Sequence, residues 1–139
     1  RTNQEAVGQI SSALSEMGVE TLSADLPFGT MHFMGLMRIV DKDLAVCWWR
    51  RTPFSAVRAL QERGYDIVWL PEGPELDHGR AFNFVTLGPR KILMVAGYEI
   101  VQRTLEGVGI ECITVDCSEL VKAAGAIGCL TGVVGRDPG

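Results

Sequence analysis

The four cysteines of this chain, Cys47, Cys112, Cys117 and Cys129, form no C-x-x-C pair, and only two histidines, His32 and His78, are there to complete a metal site. Zinc sites draw three or four such ligands from close spacings, so no metal and no cofactor is expected. No apolar run reaches the roughly 18 residues of a membrane helix, and no charged-then-apolar leader opens the chain. Runs of like charge are missing too. Thirteen Lys and Arg against seventeen Asp and Glu give a net charge of -4, which leaves no basic patch for nucleic acid or a membrane surface. These absences point to a soluble, cytoplasmic protein with free thiols and no need of disulfide staples.

What is present is a core. The 139 residues are 47% hydrophobic, with a mean hydropathy of +0.16, enough for one packed domain over residues 1–139. The sequence opens at Arg1, without an initiator methionine, in what reads as the first turn of a helix. A start within a longer protein is the expectation.

Three segments read alike: "EAVGQISSALSEMGVETLSAD", "SAVRALQERGYDIVWLPE" and "EIVQRTLEGVGIECITVD". Each is an amphipathic helix, a glycine and a strand that ends near an acidic residue. The glycines Gly18, Gly64 and Gly109 stand 46 and 45 residues apart (18 to 64, 64 to 109), the spacing of stacked supersecondary units. For the first helix, Thr2 and Glu5 predict a capping box, Val7, Ile10, Leu14 and Met17 a buried face, and Gly18 a left-handed end. Thr52 and Pro53 predict the cap and first turn of the second helix, with Val57 and Leu60 inward and Gly64 closing it. The third is expected from about Tyr98 to Gly107, with Ile100, Val101, Thr104 and Leu105 on one side.

Between the helices, "FMGLMRIV" and "LAVCWW" flank Asp41-Lys42-Asp43, and "AFNFVTL" and "KILMVA" flank Gly88-Pro89-Arg90. Both read as hairpins whose apolar content is too continuous for a sheet with one wet face. The repeating unit is strand, strand, helix, strand. It occurs about twice, after a helix and strand of an earlier unit and before the start of a later one. The expected array is open at both ends.

Chemistry centres on Cys129 in "GAIGCLTGVVGRD". Glycines let backbone approach a ligand, but a thiol attacks only as the thiolate, and burial is the commoner use of a free cysteine. A nucleophile therefore needs a partner. His32, in "FGTMHFMGLMRIV" at the mouth of a strand, is the candidate general base, set against the commoner structural histidine. Cys47 and Cys112 read as strand-interior hydrophobes, Cys117 as a cap neighbour at a strand end, and His78 as solvated. Trp48, Trp49, Arg50 and Arg51 at a hairpin end read as a stacking surface or as core aromatics. Asn83 is a polar amide inside an apolar strand and must find partners.

Taken together, "RTN", "MHFMGLMRIVDKDLAV", "FNFVTLGPRKILMVAG" and "VDCSELVKAAGAIGCLTGVVGRD" resemble, in order, the C-terminal half to two-thirds of the dimethylarginine dimethylaminohydrolase and amidinotransferase family. The resemblance implies an α+β fold, part of the pentein, a five-fold α/β propeller of ββαβ repeats; the repeat of about 45 residues agrees with it. It implies Cys129 as nucleophile and His32 as general acid and base, with a covalent thiouronium intermediate. Arg1 matches the arginine of the family's R-T-N segment and would meet a substrate carboxylate; Arg136 is a second candidate for that task, and Asn83 falls at the family's N-F position. Two departures stand out. Met34 replaces the Asp that arginine deiminases carry two residues after the histidine, which disfavours simple arginine deimination. The family's acidic E-G-G-D segment has no counterpart, so carboxylates from a complementary N-terminal fragment or a second copy of the chain are expected.

Three functions follow as expectations. One is hydrolysis of the guanidino group of an arginine derivative, the second is amidino transfer to an amine, and the third is a non-catalytic pentein fragment that serves in assembly. The partners expected are a small guanidino substrate and a homo-oligomer or complementary fragment.

Overall fold

A computed structural model of the chain describes residues 2–77 and 80–135. Its elements run α1 (Gln4–Glu16), β1 (Met37–Asp41), β2 (Leu44–Trp48), α2 (Phe54–Gln61), β3 (Asp66–Leu70), α3 (Pro74–Asp77), β4 (Val85–Gly88), β5 (Lys91–Val95), α4 (Glu99–Glu106), β6 (Glu111–Val115) and α5 (Ser118–Lys122). Short 3-10 turns at Phe33–Gly35 and Ile127–Leu130 precede β1 and follow α5.

The three glycines of the repeat do one job. Gly18, Gly64 and Gly109 take φ of 72°, 80° and 81°, and the residue after each donates its N–H to the carbonyl five residues back: Val19 to Leu14, Tyr65 to Leu60, Ile110 to Leu105. This is the left-handed helix end that satisfies carbonyls left over in the last turn. In the second and third repeats it turns the chain straight into a strand.

Two ββαβ units result. In the first, β1 pairs antiparallel with β2 and β2 pairs parallel with β3. In the second, β4 pairs antiparallel with β5 and β5 parallel with β6. Even the irregularities repeat: each hairpin shifts register just before its turn, between Ile39 and Asp41 and between Thr86 and Gly88. The sheets are separate, each of three strands, and among the described residues no closed ring of sheets forms.

The units lock at their hairpins. Arg90, at φ 50° in the second turn, donates its N–H to Val40 O at 2.9 Å. Its guanidinium reaches Asp41 at 3.0 Å and Asp43 at 3.6 Å in the first turn. Thr86 Oγ1 donates to Ile39 O at 2.9 Å, so β1 and β4 face each other through side chains instead of a strand ladder. Beneath them one apolar cluster runs through both units, including Val40, Val46, Leu70, Phe84, Ile92 and Leu105. Every residue of β2 is buried, which is why it carries no alternation.

Several local expectations are corrected. Asn3, not Thr2, caps α1, its Oδ1 accepting from the Ala6 N–H at 2.9 Å; Asn3 holds the extended backbone of the cap position, one residue nearer the helix than Thr2. Helix α1 has no fully buried residue: Val7 and Leu14 are half-buried, and Ile10 and Met17 are exposed, because residues 19–27 form no strand for it to pack on. Thr52 does not cap α2. Its hydroxyl donates toward the carbonyls of Leu36 and Trp48, and Pro53 takes the cap position. Ile100 points outward on α4 while Val101 and Leu105 are buried.

Gly109→Ala is expected to cost about 1 kcal/mol, since the added methyl meets nothing within 4 Å and the penalty is the left-handed backbone alone. Urea denaturation measures it. A midpoint as high as that of the parent would show that this helix end tolerates another termination.

Candidate active site

Cys129 is placed by a short tether. Cys117, at the start of α5, is buried with Ala126 and Val95, which anchors the chain on either side of the following turn. The 3-10 turn Ile127–Leu130 then presents Cys129 outward, its N–H donating to Ala126 O at 3.0 Å. The thiol is exposed, not buried in a strand.

Asn83 meets this turn from the second unit. It lies in the segment before β4 and not within a strand, so its amide is free of ladder geometry. Its Nδ2 donates to Cys129 Sγ at 2.9 Å, and its Oδ1 accepts the Cys129 N–H at 3.1 Å. Both ends of one amide thus grip one residue. The grip requires Gly128: a Cβ there would fall 2.8 Å from Asn83 Oδ1 and 3.1 Å from both Met34 Cε and Phe84 O, closer than van der Waals contact allows. The second glycine of "GAIGC" is therefore a space requirement.

This environment lowers the Cys129 pKa. The Asn83 hydrogen bond is the main cause, a backbone hydrogen bond with Ala126 adds to it, and partial burial opposes both; the charges of Arg80 and Arg38 contribute further lowering. Thiolate stabilised by donors and cations is the reactive form. The two strand cysteines go the other way. Burial pushes Cys47 and Cys112 each up to about 11.

A cleft of about 420 Å³ opens beside Cys129 and is lined by His32 and Asn83 as well. Three of the residues singled out in the sequence therefore share one cavity. His32 is exposed at the start of the 3-10 turn Phe33–Gly35, five residues ahead of β1 and not at a strand mouth. Its loop is pinned where Leu36 O accepts from Trp48 N–H and Thr52 Oγ1, both at 2.8 Å. Arg1, Arg136 and His78 lie outside the described residues.

The sequence reading passed over two cleft residues and underused a third. Asp77 and Arg80 line the cavity from the polar segment "PEGPELDHGR", in which the sequence singles out only His78, as a solvated residue. That wall is built: Glu75 accepts the N–H groups of Ile100 and Val101 at 3.0 and 2.9 Å, satisfying the start of α4 from another element, and the Arg80 N–H donates to Tyr98 Oη at 2.8 Å. The signal available was position, since Arg80 stands three residues before Asn83. Arg51 also lines the cleft, with its guanidinium 5.0 Å from the Trp48 ring centroid. Trp48 is core and Trp49 packs edge-on against Trp69 at 5.1 Å, so the aromatic pair divides between the two readings. Met34 adds an apolar side chain to the lining, and Asp77 is the carboxylate that the described residues bring to the cavity. Among them, no cluster of three His, Cys, Asp or Glu fit to hold a metal is found, and no helix is long and apolar enough to cross a membrane.

Cys129 is expected to alkylate with iodoacetamide faster than Cys47 and Cys112 at neutral pH, as read by mass spectrometry of the modified peptides. Because its pKa is lowered, thiolate persists to lower pH and the rate profile shifts down. Asn83→Leu and Gly128→Ala are each expected to move that profile back up. Equal slow labelling of all four cysteines would remove the site.

No protein-family model matches the chain. It is 27% identical over 131 residues to the uncharacterized protein YkgA of Bacillus subtilis, covering 94% of this chain and 44% of that protein. An uncharacterized protein of Aeropyrum pernix is 23% identical over the same shares. The chain thus spans less than half the length of the curated relatives it matches. Among solved structures, an amidinotransferase of Microseira wollei from the saxitoxin biosynthetic pathway superposes with a TM-score of 0.82 at 14% identity, over 99% of this chain and 42% of that one. The dimethylarginine dimethylaminohydrolase of Pseudomonas aeruginosa complexed with citrulline gives 0.70 at 22%, over 91% and 45%. Campylobacter jejuni agmatine deiminase gives 0.60 at 19%, over 88% and 45%. All three are pentein-superfamily members that act on guanidino groups, and this chain has the fold of a part of each.

Proposed function

We propose that this chain, folded like part of the guanidino-modifying penteins, carries the nucleophile and the proton-transfer group of a hydrolase acting on an arginine derivative. The observation that carries the reading is the double hydrogen bond of Asn83 to Cys129 at the wall of a cleft that also holds His32. In this reading the Cys129 thiolate adds to the central guanidinium carbon. The C–N bond to the leaving amine then breaks as His32 delivers a proton, which leaves a thiouronium on sulfur. Water, giving its proton to His32, adds to that carbon, and cleavage of the C–S bond returns the thiolate and releases a ureido product.

A guanidinium in a cleft needs an anionic partner. Asp77 is the carboxylate the described residues offer, in a place the sequence pattern of the family did not mark. Arg1 and Arg136 keep their proposed role toward a substrate carboxylate, and a complementary segment or a second copy of the chain is proposed to complete the site. Transfer of the amidino group to an amine is the second reading, favoured by the close superposition on the Microseira wollei amidinotransferase. A purely structural role would suit a cysteine buried against apolar side chains; the exposure of Cys129 speaks for the enzyme readings.

The test is turnover by the protein with whatever sequence flanks this chain in its gene, offered methylated arginines, arginine and agmatine with and without an added amine. Ureido product and released amine are both measured. Cys129→Ser is expected to abolish turnover, and His32→Ala to lower it by roughly 10²- to 10⁴-fold, the range of general acid–base catalysis. Asp77→Asn is expected to raise KM roughly tenfold, the scale of one charge-assisted contact. Full activity in Cys129→Ser would reject the nucleophile.

A further inference from the structure

Arg38 sits on β1 opposite Val46, outside the cleft, and lines a separate cavity of about 370 Å³ with Val85, Thr86, Gly128 and Thr131. Its guanidinium donates from Nη2 to the carbonyl of Phe84 and lies 5.2 Å from the Phe84 ring centroid. Phe84 is fully buried and directly follows Asn83. The same Phe84 carbonyl is one of the atoms that crowd Gly128. Arg38 therefore holds, from behind, the peptide on which the Cys129 clamp is mounted, and it joins that peptide to the first unit of the fold.

Resting on the reading of Cys129 as the reactive thiol, we propose that Arg38 is a positioning residue for it, one that fixes the Asn83–Phe84 segment and sets a permanent positive charge behind the sulfur. The two groups feel each other: the thiolate raises the arginine pKa against the stronger lowering by burial, and the arginine adds to the lowering of the thiol. A planar guanidinium suits the task because it can stack on a ring, donate to a carbonyl and keep its charge while half-buried. The other charged or titratable groups set around Cys129 are Arg80 before β4, His32 before β1, Asp77 at the end of α3 and Arg51 after β2. Arg80 holds the Asn83 N–H through its own carbonyl at 2.8 Å, whereas Arg38 acts from outside the cleft, through its side chain on the Phe84 peptide.

The experiment is the pH profile of Cys129 alkylation by iodoacetamide in the full chain, with Arg38→Gln and Arg38→Lys compared against the parent and folding checked by circular dichroism. Arg38→Gln keeps a donor for the Phe84 carbonyl and removes the charge; its profile is expected to move up in pH, with the rate at pH 7 falling roughly two- to fivefold. Arg38→Lys is expected to hold the parent profile. A parent-like profile in Arg38→Gln, or a loss in Arg38→Lys as large as in Arg38→Gln, would overturn the proposal. Should Arg38→Gln fail to fold, Arg38→Lys decides: a parent-like profile supports the role of the charge, and a rate loss of about twofold or more at pH 7 rejects it. Alkylation reads the thiol without turnover. A protein that, with its flanking sequence present, is inactive on every guanidino compound but whose Cys129 profile is shifted by Arg38→Gln would sink the enzyme reading and leave this one standing.

Discussion

One side-chain amide joins parts of the chain that are 46 residues apart, from Asn83 to Cys129. Its donor end faces the sulfur and its acceptor end faces the backbone of the same residue, so neither the amide nor the turn can rotate without breaking both contacts. A buried or half-buried amide with unmet groups costs free energy on the order of 1–3 kcal/mol. That cost holds the turn against the second unit. The absence of a side chain at Gly128, the stacking of Arg38 on Phe84 and the anchoring of Cys117 all serve to keep the two partners within reach.

The repeat explains how such a contact is built from ordinary parts. Each unit folds as a hairpin, a helix and a parallel strand, and each ends its helix on a left-handed glycine. The hairpin turns then interlock through Arg90, Asp41 and Asp43, largely on the surface, where ion pairs contribute little by themselves. The fixed register comes from the hydrogen bonds of the Arg90 N–H to Val40 O and of the Thr86 hydroxyl to Ile39 O and from the apolar cluster beneath. Loops that leave the same end of both units, carrying His32 and Asn83, are thereby brought to one cavity. The cleft is a product of repetition, although its residues are not repeated.

The repeat period, the helix-ending glycines and the two hairpins were legible in the sequence because each depends on local backbone chemistry. Asn83 was legible as a polar group in want of a partner, but its partner was not, since 46 residues of intervening chain had to fold first. Where the sequence pattern puts Asn83 in a strand and His32 at the mouth of one, the apolar runs around them continue past the true strand ends into loops that pack on the core. The face of α1 was misread for the opposite reason: its periodicity is genuine, yet periodicity says nothing about whether a surface stands opposite. Asp77 and Arg80 were hidden by composition, because a loop of Pro, Glu, Gly and Asp looks the same whether it faces water or a cleft.

The divergence of the thiols carries into the thermodynamics of folding. Cys129 is more acidic in the fold than in an open chain, so folding releases its proton; that contribution is full above the ordinary thiol value and is lost as pH falls through the lowered one. Cys47 and Cys112 behave oppositely. Their raised values mean that the fold keeps them protonated, a contribution complete below the ordinary thiol value and lost as pH climbs toward about 11. Stability from the thiols therefore crests near the pH at which a free thiol titrates, and one residue type sets both the acid and the alkaline shoulder of that crest.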